Sequence, residues 1–438
     1  MDRRRVVITG MGVVSPIGIG IPAFYDSLYH GKSGVSKITK FDTSDFECQI
    51  AAEIKDFNPK DYGIPREITR TCDVFSKYAL VAAQEAINNS GLKLEKRKKE
   101  ELNGISSEER SKQIQENFEE GKRRAVVVGS GMGGMETILN EHKKFLNKGP
   151  KRVSGFAVPQ AMVNSAAVAI SLLYKGINGY ISSNSNACAT SLFSIFEGSE
   201  LIKSGRADTA ITGGSEAIDN YLALASFQNM GALSTKYNSE PERASRPYDI
   251  DRDGFVPSEG AGILVLEEAE HARKRGANIL AEIIGFGITT DGYHISAPNK
   301  DAYCASQAIF MALKEAGLSP GLIDLISPHA TSTPYNDKFE TLAFEKVLEE
   351  YSSKIPIIPT KCLHGHMVGA TAAIETIAGI LAMQNSVVFP HINYDNPDPE
   401  CKLNISKERR EGISMKYMLK NSSGFGGHNI AMAVKIPK

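Results

Sequence analysis

Short apolar runs alternate along this chain with longer stretches whose apolar residues recur at helical spacing. The runs at residues 5–9, 124–128, 209–212, 262–266, 279–286, 325–328 and 431–436 read as strands. This alternation marks an α/β protein, in which helices cover a sheet between successive strands. Several of the runs end at a glycine: Gly10, Gly129, Gly213 and Gly287. At such points the backbone can turn sharply or pass close to another segment.

Two internal similarities predict that the α/β unit is duplicated. The segment Ala83 to Leu92 reads like the segment Met311 to Leu318. Each ends a predicted helix at a glycine, Gly91 or Gly317, and each is followed by an apolar strand. The helix that follows Cys188 also resembles the one that follows His366, which runs through Glu375 to Asn385. Duplicated halves would set these two helix starts face to face across a pseudo-twofold axis and bring Cys188 and His366 into one site. Two segments read differently from the rest. Residues 93–123, rich in Lys, Glu, Arg, Gln and Ser, are expected to form a solvated or partly disordered insertion, with a charged interaction arm as the alternative. Residues 238–246, before Pro247, read as an exposed loop.

With 438 residues the chain can build two domain-sized cores or one fused pair. A net charge of −1 carries no electrostatic footprint for nucleic acid or an anionic membrane. No apolar run reaches membrane-spanning length. The opening residues lead directly into the first strand, so neither a secretory signal nor a transit peptide is expected and a cytoplasmic location follows, with a plastid or mitochondrion as the alternative if a leader has been removed. The cysteines Cys48, Cys72, Cys188, Cys304, Cys362 and Cys401 are scattered without a C-x-x-C pair. Neither a metal site nor a disulfide framework is expected, and a reducing compartment fits best.

Cys188 closes a run of small polar residues and opens a helix with Leu192, Ile195, Phe196, Leu201 and Ile202 on its apolar face. A thiol at a helix N-terminus faces unpaired N–H groups and the positive end of the dipole, which favours the nucleophilic thiolate. Taken alone, such a cysteine reads first as a small buried residue with no chemistry. Two histidines stand at strand-to-loop junctions among small and hydroxyl neighbours: His329 in Pro328-His329-Ala330-Thr331-Ser332-Thr333, and His366 in Lys361-Cys362-Leu363-His364-Gly365-His366. A third loop of interest runs from Asn421 through Gly424-Phe425-Gly426-Gly427 to Asn429.

In this order, with Val6 to Pro16 at the start and Asp249 to Gly262 in the middle, these segments resemble the β-ketoacyl-acyl carrier protein synthases. They are the condensing enzymes of fatty-acid synthesis within the thiolase-fold superfamily. The glycine-rich run Gly129 to Met135 points to the type I/II branch, type II-like. The resemblance spans nearly the whole chain. It implies a thiolase fold with duplicated α/β halves in an α-β-α-β-α layering, with residues 1–270 carrying Cys188 and the insertion, and residues 271–438 carrying His329, His366 and the Gly424–Gly427 loop.

The implied activity is decarboxylative Claisen condensation of an acyl-acyl carrier protein with malonyl-acyl carrier protein, giving a 3-oxoacyl product and CO₂. The acyl carrier protein is the implied partner and a homodimer the implied assembly. No cofactor is implied beyond the phosphopantetheine that the carrier brings. Cys188 matches the nucleophile that takes the acyl chain as a thioester. His329 and His366 match the pair that stabilises the enolate left when CO₂ departs. Lys361 and Glu375 match the supporting pair that keeps those imidazoles neutral. The N–H groups of Cys188 and Phe425 match the oxyanion hole, with Phe425, beside Gly424, as the acyl gate. Thr331 and Thr333 match phosphopantetheine contacts, and Met132 the end of the acyl tunnel. His364, two residues before His366, is the one ambiguity, resolved by the Gly-His pattern. His294 and His428 read as structural, and Asp337 as a cap or brace of the His329 loop.

The sequence departs from the family pattern in several places: Ala330 follows the first histidine in place of glycine, Asn186 replaces a threonine, Ser423 replaces a phenylalanine, and the charged insertion at 93–123 is longer than usual. The alternatives are a thiolase acting on CoA esters, which needs a second cysteine such as Cys362 or Cys401, and a polyketide ketosynthase subunit.

Overall fold

A computed structural model describes residues 4–99, 101, 106–218 and 220–437. Its central feature is a 12-stranded sheet. Eleven of its strands are named here: β1 (Val6–Ser15), β2 (Arg124–Gly129), β3 (Ile181–Ser182), β4 (Thr209–Ala217), β5 (Glu259–Glu268), β6 (Ala281–Thr290), β7 (Leu325–Ser327), β8 (Pro356–Ile357), β9 (Asn404–Ile405), β10 (Tyr417–Gly424) and β11 (His428–Lys435). Reading outward from the middle, one arm runs β1-β5-β4-β2-β3 and the other β6-β11-β10-β7-β8, with β9 beyond it. In each arm the two inner pairings are antiparallel and the next two parallel. The arms join where Val6, Val7 and Ile8 pair with Ile283, Glu282 and Ala281. The strand order of the first arm is thus repeated in the second.

Helices cover the arms in layers. Against the outer face of the first arm lie α1 (Val74–Ser90) and α2 (Ser165–Leu173), and against that of the second lie α4 (Tyr303–Ala316) and α5 (Pro334–Leu348). Between the arms run α3 (Thr190–Lys203) and α6 (Thr371–Gln384), which pack on each other and on both sheet arms. From Thr371 to Met383 every residue of α6 is buried, as befits a helix that is apolar on nearly every side and carries one charge, Glu375.

The outer helices sit unusually close to their strands, and glycine makes this possible. A Cβ placed on Gly10 or Gly12 of β1 would stand 2.0 Å from the carbonyls of Ala86 and Ala82 in α1. On Gly285 and Gly287 of β6 it would stand 2.4 and 1.9 Å from those of Ala312 and Ala308 in α4. A G-x-G strand facing an A-x-x-x-A helix thus recurs in both halves. The predicted strand ends at Gly10, Gly213 and Gly287 are therefore corrected: the strands continue to Ser15, Ala217 and Thr290, and two of these glycines mark close approach to a helix. The predicted helix ends hold, because Gly91 (φ 69°) and Gly317 (φ 65°) are left-handed C-caps.

The charged insertion is more ordered than its composition suggests. Ser106 caps a helix, Ser107–Gly121, by accepting from Glu109 N at 3.1 Å, while residues 100 and 102–105 lie outside the described set. Its last residue, Gly121, packs on Asn178 and Gly176. Of residues 238–246, 238–243 are exposed or half-buried as expected, while 244–246 are buried, where Arg246 pairs with Asp249 at 3.0 Å. Among the described residues no helix is long and apolar enough to cross a membrane.

Candidate active site

Both middle helices begin in the same unusual way. A single 3₁₀ turn precedes each, Ala187–Ala189 before α3 and Val368–Ala370 before α6, and the first residue of each turn has left-handed backbone: Ala187 at φ 49° and Val368 at φ 40°. Left-handed backbone costs a non-glycine residue about 1–2 kcal/mol, and for β-branched Val368 the conformation is rarer still. The two turns pack against each other between the arms, so the duplicated topology sets Cys188 opposite the residues that follow His366.

Cys188 is only 8% exposed. The β10–β11 hairpin closes over it. A Cβ on Gly424 would stand 3.3 Å from Cys188 N, and Ser422 Oγ donates to the Cys188 carbonyl at 3.2 Å. The segment 421–429, expected to be a loop, is in fact two paired strands with a turn at Phe425, Gly426 and Gly427.

His366 is held by its own backbone, which bonds to Val256 O at 2.8 Å and receives Ser258 N at 3.1 Å. Its Nε2 lies 2.9 Å from Cys188 Sγ, and its Nδ1 lies 3.0 Å from Thr371 Oγ1. A hydroxyl both donates and accepts, so Thr371 can partner either tautomer of the ring. His329 follows β7, and its ring centroid is 5.5 Å from that of His366, edge to face. Its N–H donates to Glu340 Oε1 at 2.5 Å, that of Ala330 donates to Glu340 Oε2 at 2.8 Å, and Lys361 Nζ donates to its carbonyl.

Burial controls the proton positions. It pushes the Cys188 thiol up to about 12, with Lys361 only partly opposing the shift. The helix start is expected to favour the thiolate, whereas burial is the largest influence and raises the thiol. Burial, reinforced by Lys361 and Lys420, holds both His329 and His366 well below the ordinary histidine value. Both shifts favour a neutral thiol and a neutral imidazole at the 2.9 Å contact. Ligating atoms of Cys188, His329 and His366 all lie within 4.8 Å of one another, a spacing that could hold a metal ion. The two buried lysines beside them oppose a further cation there.

Lys361 Nζ donates to Glu375 Oε1 at 2.5 Å. Burial alone would raise the Glu375 carboxyl, and Lys361 and Lys420 together pull it below its ordinary value. Thr331 and Thr333 hydroxyls lie 2.9 Å apart, and Thr333 caps α5 by accepting from Asn336 N at 3.3 Å. Met132 packs in a small cluster with Cys188, Ile218, Ala223 and Val368. His364 is turned away from the thiol, with Nδ1 2.9 Å from Gly365 O and Nε2 3.0 Å from Thr360 Oγ1. His428 stacks edge-on with Phe193, and His294 accepts from Ser296 N and Ala297 N. Asp337 braces Tyr248 N at 2.8 Å and Arg252 at 3.5 Å, so the brace of the His329 loop is Glu340, one helical turn further on.

Sequence reasoning missed three buried charged groups: Glu340, Lys420 and Glu216. Glu216 accepts from Ser130 Oγ at 2.8 Å and from the N–H groups of Gly131 (2.7 Å), Met132 (3.2 Å) and Gly369 (2.9 Å). It ties the glycine-rich loop to the turn after His366, and burial lifts its carboxyl to about 7.

A mirrored sheet whose central helices start at a thiol and beside an imidazole defines the class of thiolase-fold condensing enzymes. Comparison with known proteins specifies it further. Residues 3–272 match the family model "Beta-ketoacyl synthase, N-terminal domain", and residues 280–395 match the corresponding C-terminal domain. The chain is 41% identical over 436 residues to 3-oxoacyl-[acyl-carrier-protein] synthase 2 of Staphylococcus aureus (strain COL), covering 99% of each. Among solved structures it is similar to the ishigamide ketosynthase/chain length factor, with TM-score 0.86 and 31% identity over 100% of both chains. It is also similar to a type II PKS acyl-carrier protein in complex with its ketosynthase bound to the hexaketide, with TM-score 0.84 and 31% identity over 100% of both chains. The chain belongs to the beta-ketoacyl synthase family.

Proposed function

We propose that the protein condenses an acyl-acyl carrier protein with malonyl-acyl carrier protein, releasing CO₂ and forming a 3-oxoacyl-acyl carrier protein in fatty-acid elongation. The observation that carries this reading is one thiol bonded to one of two neutral, mutually perpendicular imidazoles in a buried pocket. A single imidazole beside a thiol suits acyl transfer. A second neutral donor suits the charge of an enolate.

In the first half-reaction His366 Nε2 takes the Cys188 proton as sulfur attacks the acyl thioester carbonyl, and passes it to the departing phosphopantetheine thiol. Backbone N–H groups of Cys188 and Phe425 receive the oxyanion, and Phe425 moves with its flanking glycines to admit the second substrate. In the second half-reaction the malonyl C–C bond breaks, CO₂ leaves, and the electron pair stays as an enolate facing His329 and His366. Its carbon attacks the Cys188 thioester, the C–S bond breaks, and the thiolate takes up a proton from solvent, relayed through His366. Lys361 and Glu375 fix the charge beneath the imidazoles. Thr331 and Thr333 meet the phosphopantetheine arm, and Met132 bounds the acyl chain.

The carrier protein is the partner, in line with the complex named for a structural relative. Residues 1–270 and 271–438 act as the two functional halves. A homodimer forms at the free edge of β3, where Tyr180 and Ile181 are exposed beside the segment bearing exposed Phe156, Val158 and Met162. A thiolase reading would need a second cysteine at the site, but Cys362 lies in the central core and Cys401 in the core under α5. Incubation with acyl and malonyl carriers, followed by mass spectrometry of the carrier-bound product, tests the reading. A 3-oxoacyl carrier is expected. Acyl exchange without chain extension would refute it.

A further inference from the structure

Lys420 lies in the middle of β10, and it is among the largest fully buried side chains of the protein. Four oxygens enclose its ammonium: Glu375 Oε2 at 2.7 Å, Asn421 O at 2.7 Å, Pro328 O at 3.2 Å and Ser327 O at 3.4 Å. Burial lowers the Lys420 ammonium from its ordinary value, and Glu375 opposes that shift, while each donor finds an acceptor. The positions of those acceptors matter as much. Ser327 and Pro328 lead directly into His329. Asn421 precedes Ser422, whose hydroxyl contacts both Cys188 O at 3.2 Å and His329 Nδ1 at 3.5 Å. Glu375 projects from α6, and its other oxygen is taken by Lys361. One ammonium therefore joins the His329 strand, the Glu375 helix and the hairpin that covers Cys188.

The charged and titratable groups around the imidazoles can be placed element by element. β10 contributes Lys420, the short helix Lys361–His364 contributes Lys361 and His364, and α6 contributes Glu375. From α5 comes Glu340, engaged by His329 N, Ala330 N and the Tyr248 hydroxyl; from β4 comes Glu216; and from the turn before α3 comes Cys188. Lys361 and Lys420 share Glu375, one bonded to each of its oxygens, so Lys420 adds a second cation beside the imidazoles.

We propose that Lys420 is a further positioning residue for decarboxylation: a built-in cation that holds the His329 strand on Glu375 and keeps both imidazoles neutral donors toward the enolate. The proposal rests on the condensation reading above.

The test is CO₂ release from malonyl-acyl carrier protein as a function of pH, from about 5 to about 9, for wild type and Lys420→Met. Methionine keeps the length and removes the charge. The acid limb of the variant is expected to move up by about one pH unit. Its loss should approach tenfold at the acid end and shrink to within about twofold at about pH 8, where acylation of Cys188 changes by less than about threefold. A uniform loss with an unmoved acid limb would overturn the proposal, leaving Lys420 a packing residue. If Lys420→Met does not fold, Lys420→Gln takes its place, and the wild-type profile remains decisive. A wild-type limb at the ordinary histidine value of about 6.5 overturns the built-in cation. A wild type that releases no CO₂ at any pH would instead sink the condensation reading itself.

Discussion

Glu375→Gln isolates the buried charge cluster beneath the imidazoles. Glutamine keeps the shape of the side chain and removes the charge, so Lys361 and Lys420 are left facing one amide with no carboxylate between them. All three groups are at most 2% exposed, so solvent cannot screen the loss. Removing one partner of a buried ion pair costs about 3–5 kcal/mol. The chain can cap that cost by folding with one lysine neutral. Starting from the ordinary lysine value of about 10.4, this costs about 4.6 kcal/mol at pH 7. The unfolded variant then binds one proton more than the folded one, so its stability rises with pH by about 1.4 kcal/mol per unit. Urea unfolding of wild type and variant between about pH 7 and pH 9 reads both effects. The expected gap is about 4 kcal/mol at pH 7, closing steadily as pH rises, with about 2 kcal/mol recovered when Lys420→Met is added. A loss below about 1 kcal/mol, or a gap that ignores pH, would refute the account of a carboxylate shared by two protonated lysines.

Other outcomes follow from neighbouring features. Ala330 is buried with left-handed backbone at φ 44°. In Ala330→Gly the relief of about 1–2 kcal/mol of strain should outweigh the added unfolded-state freedom, for a net gain of about 0.5 kcal/mol in denaturant unfolding; a loss above about 1 kcal/mol would count against it. Burial lowers His391 to about 4. Its unfolded value is higher, near 6.5, so its contribution is present above that value and lost as pH falls toward 4, by about 2 kcal/mol between pH 8 and pH 5. His391→Gln should flatten that part of the stability profile, and an unchanged slope would contradict the assignment. His329→Ala should spare Cys188 acylation and lose malonyl decarboxylation, whereas His366→Ala should impair both, because only His366 touches the thiol. Single-turnover assays of each half-reaction separate the two. His364→Ala behaving like His366→Ala would show that the wrong histidine has been placed at the sulfur.

The meeting of Cys188 with the His366 segment was legible in the sequence because it rests on a repeat, and the same G-x-G facing A-x-x-x-A packing builds both halves. Local reading failed where burial reverses an intrinsic tendency. At Cys188 it reasoned from the helix start and missed the desolvation that keeps the thiol protonated. In residues 107–121 composition suggested disorder, but a serine cap and a glycine seat on Asn178 are enough to order a helix. Lys420 was missed because a strand lysine usually marks solvent. The period-two pattern held the signal, since Met418, two residues earlier on the same face, packs on Gly379 of α6, and Glu375 lies one helical turn before Gly379. Glu340 likewise stands one turn beyond Asp337, on the same side of α5.

The central claim divides the labour: Cys188 holds the acyl chain, and the imidazole pair makes the carbon nucleophile. Its most direct test is CO₂ release from malonyl-acyl carrier protein by Cys188→Ala, with product followed in the same sample. The account expects CO₂ to be released with no 3-oxoacyl product. A folded Cys188→Ala protein that releases no CO₂, or one that still extends an acyl chain, would contradict it.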